Sequence, residues 1–288
     1  MASVDYSSKA MLVKLVVRQW QASKTDKRVT QKVLADNGAQ DKSGRFSKRL
    51  VSRDDLAPVT TAINAIKAYH NKMTLPWDDE GRRVLPAKQF FTYKSDMAVL
   101  ESNFQHAVRE FTNNYEEYIN KQRIVLNGLF SWDDYPGRDE IADKFGVEVT
   151  PEPVPTGNSL HVEIGEEYLR EQRALIEKRV AEKMQDAHKA IYDRLSETIQ
   201  HLLDSIGEGK KFKANSINNI IEICDLIPSL VIEDDDRIVK VAKEVKAAVS
   251  KFSPDTIRDN AVVSRVTQRA LREQVQEIEN SLYSYFSN

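Results

Sequence analysis

The stretch EEYLREQRALIEKRVAEKMQDAHKAIYDRLSETIQHLLDSI, residues 166–206, contains apolar residues that recur at spacings of three, four and seven. Such spacing places them along one side of an α-helix. The pattern predicts a single helix of about forty residues, on the order of 60 Å long, a length typical of a coiled-coil arm. The residues that carry it are Leu169, Ile176, Val180, Met184, Ala187, Ile191, Leu195, Thr198 and Leu202.

Helical periodicity also dominates the rest of the chain. Capping residues, first-turn prolines and three- or four-residue spacings mark the helices that we predict on both sides of the quoted stretch. They are a short helix at 25–38, one that opens at Asp54, a long one from Ser95 to Phe130, and then Asn215–Leu226, Asp236–Phe252 and Arg258–Phe286, with Pro228 ending the first of these three.

Strand patterns are short and lie in the first half of the chain. Residues 11–21 are rich in Val and Leu, and residues 45–51 follow a turn-forming segment. Residues 146–164 alternate apolar and polar side chains around three prolines, which predicts two short strands or an extended crossing. We therefore predict a mainly α protein with a small α+β N-terminal element and a bundle of long helices. Two domains are expected, 1–164 and 165–288.

Composition favours a globular protein of a reducing compartment. Apolar residues make up 41% of the chain and charged residues 30%, no run approaches the length of a membrane span, and Cys224 is the single cysteine. We expect a cytoplasmic protein without a membrane contact, in which Cys224 is a buried structural thiol.

The charge is unevenly distributed. Residues 1–53 hold twelve Lys and Arg and four Asp, a net charge of +8, so the remaining residues carry −10 of the chain total of −2. Single-stranded nucleic acid is bound by such cations beside flat rings on which bases stack. The alternative is that the rings belong to the core and the cations are a solvated face. The candidate residues are Trp20, Lys27, Arg28, Lys32, Arg45, Phe46, Lys48 and Arg49.

The segment LPWDDEGRRVLP, Leu75–Pro86, combines three consecutive acids with two arginines. It is either a metal or acid-base site, or a stiff corner in which the prolines fix the backbone, Trp77 and Leu85 pack on the core, and the acids pair with the arginines. We favour the corner. A metal-dependent nuclease would use Asp78, Asp79, Asp133 or Asp134.

No other chemistry is indicated by a local motif. The five histidines form no HxxxH or HxH pair, and the chain has no GxxxxGKS/T, GxGxxG or GxSxG sequence. We therefore expect no catalytic residues, no metal and no cofactor.

Several blocks resemble, in order and spacing, those of a family of phage- and prophage-encoded, mostly helical proteins of about this length, for which no activity is established. The blocks are GRFSKRLV (44–51), TLPWDDEGRRVLP (74–86), FQHAVREFTNNY (104–115), LNGLFSWDDYP (126–136), PEPVPTGN (151–158) and IIEICDLIP (220–228). The resemblance implies a viral setting in the host cytoplasm, beside replication, recombination or AAA+ ATPase genes.

Together these features predict a non-catalytic phage protein that self-associates and binds single-stranded DNA through its basic N-terminal region. The alternative is a scaffold or inhibitor that binds a host protein or a partner AAA+ ATPase. Either protein partner would meet the acidic remainder of the chain or its long helix.

Overall fold

The computed structural model describes residues 6–162, 165–205, 214–232 and 236–250, together with Arg269 and Glu273. Within these residues, eight α-helices accompany six short strands, which confirms the prediction of a mainly α fold with a small α+β element. The elements are β1 Ala10–Arg18, β2 Ser23–Thr25, α1 Lys27–Asp36, β3 Ser47–Arg49, α2 Arg53–Met73, β4 Leu75–Pro76, β5 Arg82–Pro86, α3 Phe90–Asn113, α4 Tyr115–Leu126, α5 Arg138–Ile141, β6 Gly146–Pro153, α6 Glu166–Ser205, α7 Ala214–Leu230 and α8 Asp236–Ser250.

The strands form two antiparallel sheets. The larger has the order β4-β5-β1-β6, and its register places Ala10 opposite Pro86 and Lys14 opposite Arg82. The smaller pairs β2 with β3, with Ser23 opposite Arg49. Of the two short strands or extended crossing predicted at 146–164, the described residues form one strand, β6, which lies beside β1 in the larger sheet.

The chain divides into two compact units, and neither is continuous in sequence. The bundle unit comprises the described residues of 1–14, 73–91 and 151–288, and the basic unit comprises 15–72 and 92–150. These boundaries differ from the predicted division at 164/165. The reason is that β4 and β5 lie between α2 and α3 in sequence, but β5 pairs with the first half of β1 and β4 pairs with β5.

The core of the bundle unit lies along the second half of α6. From Val180 to Leu202 this helix buries one apolar side, which packs against α7 and β4, and α7 packs in turn against α8. That part of α6 is therefore core of the predicted bundle of long helices. Cys224 of α7 is buried in the same core, as expected, and burial raises the pKa of its thiol to about 12.

Helix α7 continues through Pro228 to Leu230, so the predicted end before this proline is wrong. A proline inside a helix removes a hydrogen bond and costs about 3 kcal/mol. Here Ile227 and Leu230, on either side of it, are 1% and 0% exposed, and their burial offsets that cost.

The segment 75–86 is a β-hairpin and not a corner between helices. Its packing follows the prediction, because Trp77 and Leu85 are buried. Asp78 accepts from the Arg82 side chain, with Oδ2 and Nε 2.5 Å apart. Arg83 does not pair with an acid of the hairpin as predicted, but donates to the Thr74 hydroxyl at 2.6 Å.

In the basic unit, the predicted single helix from Ser95 to Phe130 is two helices, α3 and α4. The break lies at Asn114, whose side-chain amide donates to the Glu110 carbonyl at 2.8 Å. Such side-chain bonds to the backbone compete with the helix and favour local bends. The aromatic stripe of this region is core, with Phe104, Phe111 and Tyr115 at most 2% exposed.

The predicted helix Arg258–Phe286 lies outside the described residues, apart from Arg269 and Glu273.

Candidate nucleic-acid interface

Helix α1 is fixed at its start by Asp26. The Asp26 carboxylate accepts from the backbone N–H of Val29 at 3.0 Å, which satisfies one of the free donors of the first turn. Thr30 links this turn to the end of the following loop, since its hydroxyl donates to the Asp26 carbonyl at 2.7 Å and accepts from the Phe46 N–H at 3.0 Å. The loop that contains Arg45 is thus tied to α1.

The cations of α1 face solvent. Lys27, Arg28 and Lys32 are all exposed, and α1 buries none of its ten residues. Arg28 and Lys32 are four residues apart and therefore share one side of the helix. Among the described residues, none of these three, nor Arg45, forms an ion pair within 4.0 Å. The positive charge of this region is thus open to an external anion.

The position of Lys48 disagrees with the prediction that this residue contacts phosphate. Its side chain is 6% exposed, and its ammonium lies 2.5 Å from Asp134 Oδ2 and 3.5 Å from Asp26 Oδ2. It also donates to the Leu129 carbonyl at 2.7 Å. A buried ammonium needs such partners, and its charge is then compensated within the protein. Lys48 therefore joins β3 to the 129–134 segment and takes no part in a surface site.

Asp134 receives a second ammonium, that of Lys24, at 2.9 Å. Burial alone would raise the pKa of Asp134, but the hydrogen bonds from Lys48 and Lys24 outweigh it, so this pKa lies below its usual range. The pKa of Asp26 is lowered as well, chiefly by the Val29 N–H and further by Lys48. Both carboxylates thus favour the ionised form, Asp134 because of two lysines and Asp26 chiefly because of a backbone N–H.

The two predicted stacking rings are only partly accessible. Trp20 packs its edge against Tyr115, with ring centroids 5.8 Å apart, and lies 6.3 Å from Phe111. Both Trp20 and Phe46 are half-buried. The alternative that the rings belong to the core thus holds in part for Trp20, which also shares a pocket with Arg49 and Arg53. Phe46 directly follows the exposed Arg45 in sequence.

A pocket of about 360 Å³ lies next to Trp20. It brings together two of the predicted residues, Trp20 and Arg49, with residues that the sequence analysis did not select. These additional residues include Gln21, Arg53, Ala57 and Thr61. The pocket residues come from the β1–β2 connection, the end of β3 and the first turns of α2, so no local motif could have identified the pocket. Of these additional residues, only Arg53 could have been suspected from sequence, because it belongs to the basic segment 1–53.

Of the four carboxylates considered for a nuclease, Asp79 and Asp133 are exposed, and the other two form ion pairs. Asp78 is paired with Arg82, and Asp134 is paired with two lysines. Within the described part of the chain, no group of three or more His, Cys, Asp or Glu residues could hold a metal ion. Among the helices of the same part, none has the length and apolarity that a bilayer-spanning segment needs.

Comparison of the chain with protein-family models, with curated proteins and with solved structures finds no match. The fold and site place it in the class of mainly α proteins that carry a basic surface and a small pocket on one compact unit. Its function is inferred from its own residues.

Proposed function

We propose that the protein binds single-stranded DNA, without catalysis, through the basic unit. The observation that carries the proposal is the division of the N-terminal cations into two sets. Lys24 and Lys48 are paired with Asp134, and Lys48 also with Asp26. The exposed cations of α1 and of the loop after it face solvent without an ion pair to a described residue. An unpaired set of this kind supplies the counterion release that drives binding to a phosphate backbone.

Single strands fit this surface better than duplex DNA for a physical reason. A flexible strand can turn its bases toward a protein, and the exposed parts of Trp20 and Phe46 offer flat surfaces beside the cations. A duplex keeps its bases stacked and presents only its backbone and grooves.

The test is fluorescence anisotropy of a labelled single-stranded oligonucleotide at several salt concentrations. We name as the basic-surface variant the protein with Lys27, Arg28, Lys32 and Arg45 changed to Ala. We expect its affinity to fall, and the slope of log K against log salt to become shallower by up to about 3, since each contact with a single strand contributes about 0.7.

The matched control changes Lys67, Arg109, Arg123 and Lys144 to Ala. These are also two lysines and two arginines, all exposed and on the same unit. The control has the same net charge as the basic-surface variant and should keep most of the native affinity. Equal losses in both variants would mean that only overall charge matters, and no binding by the native chain at low salt would overturn the proposal.

Self-association through α6 is a second part of the proposal. The first fourteen residues of this helix contain no buried side chain, and Tyr168 and Leu175 are 65% and 40% exposed. Exposed apolar residues seven apart fit a pairing of two copies along this segment. Light scattering should show an oligomer that is lost when both residues become Glu. It should persist when Ala181 and Gln185, exposed on the same helix, become Glu.

The setting that we propose is a phage-infected cell, where single-stranded DNA arises during replication and recombination. A protein partner, from the host or as an AAA+ ATPase of the phage, is the competing proposal. It is favoured by Ile124 and Val125, adjacent residues of α4 that are 80% and 73% exposed. Copurification from infected cells at high salt discriminates the two. A stoichiometric partner that is lost when both residues become Ser would favour a scaffold or inhibitor.

A further inference from the structure

The pocket beside Trp20 has the volume of a small-ligand site and is lined by both an aromatic ring and charged groups. Its volume of about 360 Å³ lies within the usual range for sites that enclose a small molecule. The lining includes the flat, mostly apolar indole of Trp20 and the positively charged side chains of Arg49 and Arg53. Thr61 and Gln21 add a hydroxyl and an amide. A ligand with both a flat ring and an anionic group would use all of these.

The backbone that carries the two arginines is held in place. The Arg49 carbonyl accepts from the Gln122 side chain at 2.8 Å, and the next N–H, of Leu50, donates to the Ala22 carbonyl at 2.7 Å. Ser52 caps the start of α2, because its hydroxyl accepts from the Asp55 N–H at 3.0 Å. Arg53 is the first residue of that helix. The two guanidinium groups thus extend from fixed points.

Both arginine side chains are exposed, and neither forms an ion pair with a described residue within 4.0 Å. Guanidinium groups bind phosphate oxygens with two parallel N–H donors, which is stronger and more directional than a lysine contact. Two of them at one pocket fit a phosphate group.

The indole is held on the other side. Tyr115 and Phe111 pack against Trp20 with centroid distances of 5.8 Å and 6.3 Å, so the ring is supported by the core of the basic unit. Gln19, next to it, donates from its side-chain amide to the Thr60 hydroxyl at 3.1 Å and joins the end of β1 to α2. A supported ring in a pocket wall is what stacking of a nucleobase requires.

We propose that this pocket holds one nucleotide of the bound single strand, with its phosphate on Arg49 and Arg53 and its base against Trp20. The assignment rests on the proposed function for the strand itself. A free mononucleotide presents the same phosphate and base, so the test separates the two sources.

The decisive variant fills the pocket without a change of charge. Ala57 lines the pocket and is exposed, so Ala57→Leu adds bulk there. Ala65→Leu is the matched control, since Ala65 is exposed on α2 two turns further on and does not line the pocket. Both variants are made in a Trp132→Phe background, which leaves Trp20 and the buried Trp77 as the fluorophores. Thermal unfolding checks that both fold.

A single-stranded oligonucleotide should quench the tryptophan fluorescence of the background protein and of Ala65→Leu. In Ala57→Leu, we expect the quenching to disappear and the affinity from anisotropy to fall about tenfold, the scale of one lost base-stacking contact. Arg49→Ala combined with Arg53→Ala should weaken binding to a similar degree. Equal affinity and quenching in Ala57→Leu and Ala65→Leu would overturn the pocket assignment.

The failure of this inference differs from the failure of the proposed function. If the basic-surface variant loses oligonucleotide binding while Ala57→Leu keeps it with full quenching, the function stands and the pocket assignment is wrong. If no oligonucleotide binds the native chain, both fail. Deoxythymidine monophosphate is titrated in parallel, and quenching by it at a lower concentration than by the oligonucleotide would overturn the assignment to a strand.

Discussion

Lys48 shows how one neighbouring chain segment changes the role of a residue. In sequence it stands among seven other selected residues as one more surface cation, yet Asp134 and Asp26 hold it in a site that is 6% exposed. Asp134 is 86 positions away, so the pairing depends on the fold and leaves no local trace. Burial, and not residue type, separates a phosphate contact from a structural ion pair here.

We expect Lys48→Ala to lower the free energy of unfolding by about 3 kcal/mol, because the partly buried Asp134 carboxylate then lacks its buried cation. Lys24→Ala removes the more exposed partner of the same carboxylate and should cost less than about 1 kcal/mol. Urea unfolding measures both. Equal and small effects would show that Lys48 is solvated. In neither variant should the slope of log K against log salt for DNA binding change by the amount expected for the basic-surface variant.

The lowered pKa of Asp134 predicts a loss of stability in acid. Its pKa in the folded protein lies below the unfolded value of about 3.9, so the unfolded chain binds more protons as the pH falls. The stabilisation is complete above the unfolded pKa and is lost as the pH falls toward the folded one. The urea midpoint should therefore drop less between about pH 6 and pH 3 in Asp134→Asn than in the native protein. Asp133→Asn, at the exposed neighbour, should retain the native dependence.

At the scale of the element, α1 is unusual because it buries none of its residues. Its ten residues are held by the Asp26 cap and the Thr30 bonds, and its most protected side chains, Val29, Thr30 and Leu34, are only partly buried. A helix this short is marginal by itself in water. The candidate DNA surface therefore rests on one of the least protected elements of the basic unit.

Loss of the cap should be visible first in α1. We expect Asp26→Ala to lower the protection of α1 amides in native-state hydrogen exchange by about 1 kcal/mol, roughly fivefold. Asp26→Asn keeps a capping oxygen and should have the smaller effect, and Asp41→Ala, in the exposed loop, should have none. If α1 is equally protected in all three variants, contacts other than the cap hold it.

How much of each element could be predicted depended on whether local or distant residues determine it. The spacing of Val180, Met184 and Ile191 was enough to predict α6 with nearly the observed bounds. The continuation of α7 through Pro228 could not be predicted, because burial of its neighbours overrides a local breaker. The cations of α1 were located from sequence alone. The pocket was not, since its wall comes from three separate segments.

For the molecule as a whole, the chain crosses between the two units four times, after Lys14, Lys72, Phe91 and Thr150. A cut at 164/165 therefore separates the hairpin residues Leu75 and Trp77 from the α6 side chains that share their core. The fragment 1–164 should expose that apolar surface and aggregate.

A fragment that follows the observed units should behave differently. Tyr69 and Tyr93 stack with centroids 6.0 Å apart, so the ends left by removal of 73–91 are close together. We expect residues 15–150, with 73–91 replaced by a short Gly-Ser linker, to unfold cooperatively and to bind single-stranded DNA with the native salt slope. Thermal unfolding and anisotropy measure this. A fragment that folds but does not bind would place the DNA surface elsewhere.

The single cysteine gives a direct measure of how often the helical bundle opens. Cys224 is 4% exposed and is the only thiol in the chain, so a thiol-specific reagent reacts only with molecules whose bundle has opened. The labelling rate at increasing reagent concentration separates the rate of opening from its equilibrium. The native chain thus carries its own probe of the opening of α6, α7 and α8, with no engineered residue.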